Sequence, residues 1–175
     1  MPMSLSMYQA SVPVFVQILG SLGNVLEKAE AHATTRKIDL AVLAAARLYP
    51  DMLPLARQLH IACDFAKSAT ARLAGLEVPT WSDDEKTLAE FRARIAKTSQ
   101  YVQGFKPAQI DGSEDREIVL KMRDATRTFK GQAYLLHFVL PNFFFHATTA
   151  YDILRHNGVE LGKRDFLGQV PGMNA

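Results

Sequence analysis

The sequence lacks several features, and each absence removes a class of function. It has one cysteine, Cys63, set inside an apolar helical pattern. With no partner thiol there is neither a disulfide framework nor a CxxC metal knuckle. A buried free thiol suits a reducing cytoplasm. No apolar run approaches the ~18 residues that cross a bilayer. The N-terminal stretch has no positively charged lead, and Gln9, Ser11 and Gln17 interrupt its apolar residues, so it does not read as a signal peptide. A dominant charge is missing too: the net charge is +2 and the Lys and Arg residues are scattered, which offers nucleic acid no basic stripe. Gly162-Lys163 lacks the upstream glycines of a phosphate loop. The expectation is a cytoplasmic protein with no membrane and no nucleic-acid partner.

What is present suits a globular fold. The 175 residues are 48% hydrophobic and 22% charged, enough for one domain over residues 1–175 with a single core. Val14, Ile18, Leu22, Val25 and Leu26 recur at helical spacing and predict a first helix from about Ser4 to Glu30, with Pro13 either kinking it or marking its true start. A short helix follows over Ile38 to Arg47. The segment Pro50 to Leu76 carries a second long helix, with Gly75 as its stop. Ser82 and Glu85 have the spacing of a capping box and predict a third helix reaching about Gln103. Lys106 to Glu114, with Pro107 and Asp111-Gly112, reads as loop. REIVLKM and TRTFK lack helical spacing and predict a small irregular or two-stranded excursion. Gly131 to His156 is the fourth long helix, bent at Pro141 and ended by Asn157-Gly158. The fold class is therefore all-α, a four-helix bundle with a short extra helix and the excursion before its last helix.

Two stretches carry a resemblance. PNFFFHATTAYDILRHNGVELGKRDFLG and QLHIACDFAKSATARLAG are similar to an uncharacterised bacterial branch of the DinB/YfiT-like superfamily, itself a domain of unknown function, over nearly the whole chain. The resemblance implies a DinB-like bundle with a long crossover, often a homodimer. It also implies a divalent metal, zinc or nickel for instance, held by one histidine of the second helix and an HxxxH pair of the fourth. Some members are thiol-dependent transferases or isomerases. Carried onto this sequence, His146 falls on the second histidine of the pair and His60 on the helix-two ligand. Asn142 stands where the first histidine of the pair would be.

Residues four apart share a helix face, so Asn142 and His146 converge, together with Leu135, Val139 and Ile153, and are expected to point inward. His60, Asp64 and Lys67 share a side of the second helix that differs from its Leu/Ala stripe. Three readings stand side by side. In one, His60 and His146, with Asp64 as third ligand, form a two-His, one-carboxylate set for zinc, nickel or iron. In another, His146 is a core histidine bonded to Asn142, Asp64 or a backbone carbonyl. In the third, Asp64, Lys67, Asn142 and His146 supply the polar contacts of a metal-free pocket for a small molecule. Phe143 to Phe145 read as packing, Cys63 as a small core residue, and Trp81 as a staple for the third helix. The leading expectation is a small-molecule-binding bundle protein with a degenerate or absent metal site; the alternatives are a metal-dependent enzyme, such as a thiol-dependent transferase, and a structural or interaction protein without a ligand.

Overall fold

Pro13 is where the first helix starts. The computed structural model of the chain describes residues 5–122 and 124–173; Ser4, the expected helix start, and Arg123 lie outside them. Helix α1 is Val12–Arg36, with Pro13 in its first turn, where the missing N–H costs nothing. Residues 7–11 ahead of it form turns. Helix α2 is the short Leu40–Ala45, and the Asp39 side chain caps it by accepting from Ala41 N at 2.9 Å.

Helix α3 is Leu55–Leu73. It ends in the left-handed Gly75 (φ 72°), with Leu76 N donating to Ala71 O at 2.8 Å and Gly75 N to Arg72 O at 3.0 Å, a Schellman-type stop. Helix α4 is Leu88–Gln103, and here the expected cap is corrected. The capping box is Thr87 with Glu90, Glu90 N donating to Thr87 Oγ1 at 3.2 Å and Thr87 N to Glu90 Oε2 at 2.9 Å. Ser82-x-x-Glu85 has the same spacing, but the apolar stripe begins only at Leu88, and Glu85 is engaged elsewhere. Residues 77–87 therefore run as an extended strap between α3 and α4.

The expected loop contains a single turn of helix, α5 (Pro107–Ile110). The excursion is an antiparallel hairpin of β1 (Glu117–Lys121) and β2 (Thr126–Lys130), with Ile118 opposite Phe129. Ile118 and Leu120 alternate inward with exposed neighbours, the period-2 pattern of a half-buried strand. Arg116 ties the base of the hairpin to the end of α3 by donating to Leu73 O at 2.6 Å. A side chain at Gly131 would collide with the Ser113 carbonyl, so the close turn out of β2 needs glycine.

The last long helix is not a simple bent rod. It opens as α6 (Gly131–Ala133), widens into a π segment (Tyr134–Val139) and continues as α7 (Leu140–His156). Pro141 stands two residues past the widened segment, in the first turn of α7. In an α-helix its ring would press on the carbonyl four residues back, and widening relieves this. Asn142 Nδ2 donates to the Phe138 carbonyl at 2.6 Å, satisfying an acceptor near the disturbed turn. A final helix, α8 (Lys163–Leu167), returns to α1, held by Lys28–Asp165 at 2.6 Å and by Gln17 Nε2 to Leu167 O at 2.8 Å.

Helix α1 packs on α4, α4 on α3, α3 on α7 and α7 back on α1, which closes a four-membered ring around the core. Phe15, Leu19, Leu59, Phe91, Phe143 and Ile153 are among its fully enclosed side chains. Phe15 and Phe143 meet edge to face at 5.0 Å, joining α1 to α7 across the middle. Among the described residues no helix is long and apolar enough to cross a membrane.

Candidate functional site

His146 is buried, and its partner on α3 is Gln58. The ring Nδ1 lies 2.6 Å from Gln58 Oε1. Gln58 Nε2 donates to the Leu53 carbonyl at 3.1 Å, which fixes the amide orientation. The oxygen facing His146 must then accept, so His146 carries its proton on Nδ1 and leaves Nε2 as a bare acceptor. Burial pushes its pKa below the ordinary histidine value, and the ring lies parallel to Phe65 at 6.1 Å between centroids. The expected partners Asn142 and Asp64 are thus corrected to Gln58. Glutamine carries no catalytic signature in sequence, which is why it escaped notice.

His60 lies elsewhere. Two residues from Gln58 is about 200° around a helix, so His60 points to another side of α3, towards α4 and the strap. It is nevertheless 4% exposed, more enclosed than its offset from the Leu/Ala stripe suggested, because the strap covers it. His60 Nε2 meets Glu85 Oε2 at 2.7 Å and its ring packs on Phe91 at 5.0 Å. Nδ1 is buried without a partner among the described residues.

Beside it sits Arg94, unremarked in the sequence and 4% exposed. A cation on an amphipathic helix normally reads as solvated, yet this one faces inward and collects the strap. It donates to Ser82 O at 2.7 Å, Asp83 Oδ1 at 3.0 Å and Glu85 Oε1 at 3.0 Å, with Asp64 Oδ1 at 3.5 Å. Lys67, also buried, pairs with Asp64 at 2.7 Å. Trp81 does not staple α4 alone: Lys67, Arg94 and Lys97 all lie over its ring, and it meets Tyr101 edge to face at 5.8 Å. Burial raises the Glu85 carboxyl, but bonds from backbone, His60 and Arg94 outweigh it and hold the group below the ordinary value. Asp83 is held low in the same way, burial being outweighed by His60, Arg57 and Arg94.

The three proposed metal-ligand residues therefore each have separate partners. His60 serves Glu85, Asp64 serves Lys67 and Arg94, and His146 serves Gln58. Among the described residues no group of three His, Cys, Asp or Glu side chains stands ready for one ion. Around His146 the neighbours are the neutral amides of Gln58 and Asn142, both already bonded. One free imidazole nitrogen without a carboxylate does not fit a divalent zinc, nickel or iron site.

The π segment opens a different feature. Between α3 and the π segment lies a cleft of about 210 Å³ lined by Ile61, Asp64, Phe65, Ser68, Arg72, Tyr134 and Phe138. Phe65 meets Phe138 at 5.7 Å, and Phe129 of the hairpin meets Phe138 at 5.3 Å, so one aromatic cluster runs from the hairpin to His146. Of the expected ligand-binding residues, Asp64 lines the cleft directly. His146 backs its wall through Phe65, Asn142 holds the Phe138 carbonyl, and Lys67 is buried behind Asp64. Larger grooves elsewhere include one walled by Lys28, Arg36 and Glu160, one at the ionic strap, and two beside α1, against residues 168–171 and against α4.

Residues 7–167 match a family described as a domain of unknown function, DUF1993. A solved crystal structure, described as a DinB family member protein from Shewanella denitrificans, is 40% identical to the chain. The match covers 96% of this chain and 95% of that one, with a TM-score of 0.86. No curated protein matches.

Proposed function

The chain belongs to the DUF1993 family of domains of unknown function, and on that footing we propose that it is a small-molecule-binding bundle protein whose ligand enters the cleft between α3 and the π segment. The π segment carries this reading. A run of six π-helical residues, Tyr134–Val139, is a rare backbone state that is frequent at functional sites. Here two of its residues, Tyr134 and Phe138, form one wall of the cleft. The opposite wall is a stripe on α3, Ile61, Phe65, Ser68 and Arg72, apolar with a few convergent polar groups, as ligand sites are.

The metal-dependent alternative, a thiol transferase organised by His146, has only one imidazole nitrogen to support it. The expected homodimer belongs to the proposal as well. Its support is the exposure of Phe145 (57%) and Leu53 (45%), on backbone tied together through Gln58 and His146.

Screening by thermal shift and ligand-observed NMR tests the cleft, with small aromatic and apolar compounds against wild type and Ser68→Phe, which fills the space. Binding compounds should stabilise the wild type, by about 2.7 kcal/mol at a hundredfold excess over Kd, and should leave Ser68→Phe unmoved. Compounds that bind both proteins alike, or none that bind at all, would remove the reading.

A further inference from the structure

Within that cleft the charges are unevenly spent. Asp64, at one end, is neutralised by Lys67 and Arg94. Arg72, eight residues on and so about 12 Å further along α3, is in no ion pair among the described residues. One of its nitrogens donates to the Tyr134 hydroxyl at 3.0 Å, which leaves most of its five N–H donors free. Tyr134 is 1% exposed. Its oxygen accepts from Arg72, and its own hydrogen has no acceptor among the described residues. Burial, only partly offset by Arg72, keeps that phenol protonated by pushing its pKa up. A buried hydroxyl with an unused hydrogen is costly unless something accepts it. The rest of the wall, Ile61, Phe65 and Phe138, is apolar.

Resting on the small-molecule reading, we infer that the cleft selects small organic carboxylates with an apolar or aromatic body, Arg72 and the Tyr134 hydroxyl receiving the carboxylate and Phe65, Phe138 and Ile61 the body. A planar guanidinium matches a carboxylate in two parallel bonds. The phenol supplies a third donor from the side, and Ser68 lies midway between the carboxylate end and Asp64. A plain role for Arg72 at the C-terminal end of α3, complementing the helix dipole, leaves the Tyr134 hydrogen unexplained.

Calorimetric titration tests the assignment with 3-phenylpropanoate and its neutral amide, on wild type, Arg72→Gln and Tyr134→Phe, each first shown to be folded by circular dichroism. The carboxylate should bind wild type about tenfold to a hundredfold more tightly than the amide. Arg72→Gln should bring the two close to parity, and Tyr134→Phe should remove part of the difference. If wild type binds the amide as well as the acid, the cleft is a ligand site without acid selectivity and the inference falls alone. If neither probe binds while other compounds stabilise wild type but not Ser68→Phe, the inference again falls alone. If nothing binds in either experiment, both readings fall.

Discussion

The charge of His146 is decided by what surrounds it. Gln58 accepts from Nδ1, Phe65 covers one side of the ring, and burial disfavours the imidazolium. An ordinary imidazole takes up its proton near pH ~6.5, whereas the folded value is lower. As the pH falls, the unfolded chain binds this proton first, so His146 stabilises fully above that pH and its contribution is lost as the pH passes down through the folded value. Urea titrations at pH 7.5 and about pH 5.5 should therefore show stability falling, with a smaller fall in His146→Gln. Equal falls in the two proteins would remove this account. Cys63 makes a parallel case. Full burial pushes its thiol up to about 12, although Thr98 and Arg94 oppose the shift, so the thiolate is scarce and inaccessible. A thiol-specific reagent at pH 8 should label it only as fast as the chain unfolds, with labelling accelerating in urea.

The elements were legible to different degrees, and for identifiable reasons. Helical spacing revealed all four long helices, and its absence revealed the hairpin. The start of α4 was misplaced because Ser82/Glu85 and Thr87/Glu90 share one motif, and only the stripe beginning at Leu88 separates them. The π segment left no trace in the hydrophobic pattern, since its five apolar or aromatic residues and His137 fit either helix. The strap was the least legible element, because what holds it is Arg94, an ordinary surface residue by type. Arg94→Met would leave Asp83 and Glu85 facing each other with weaker compensation, at a cost of about 3 kcal/mol. Trp81 is the chain's one tryptophan and lies in the strap under Arg94, so its emission reports on release. The shift should be present in Arg94→Met at pH 7. In wild type it should appear only in acid, since Asp83 and Glu85 are held below the ordinary carboxylate values of ~3.9 and ~4.3. Their contribution is intact above those values and is lost as the pH falls through the folded ones. An Arg94→Met protein with unchanged emission and a loss under about 1 kcal/mol would show the strap is held by other means.

For the whole molecule, the four long helices were readable from the sequence but their order around the ring, and the short helices α5 and α8, were not. Neighbour choice depends on inward polar contacts such as Gln58–His146 and Arg94–Glu85, whose members look unremarkable one at a time. The same contacts bear on assembly. Gln58 ties the Leu53 carbonyl to His146, the neighbour of Phe145 on α7, and Leu48, Tyr49, Leu53 and Phe145 are all substantially exposed. Large exposed apolar side chains gathered in one patch are unusual on a monomer. Because one surface of the chain supplies it, a second copy can cover it with two-fold symmetry. Sedimentation equilibrium should then give about twice the 19.4 kDa chain mass. Phe145→Asp should return the mass to that of a single chain without unfolding it, since Phe145 is 57% exposed. Phe145 also packs edge-on against His146 at 5.2 Å, and the His146 ring backs the cleft through Phe65. A dimer at this surface would therefore brace the cleft wall, and Phe145→Asp should weaken carboxylate binding together with self-association. A wild type that stays monomeric at every concentration would remove the homodimer and leave the cleft to stand by itself.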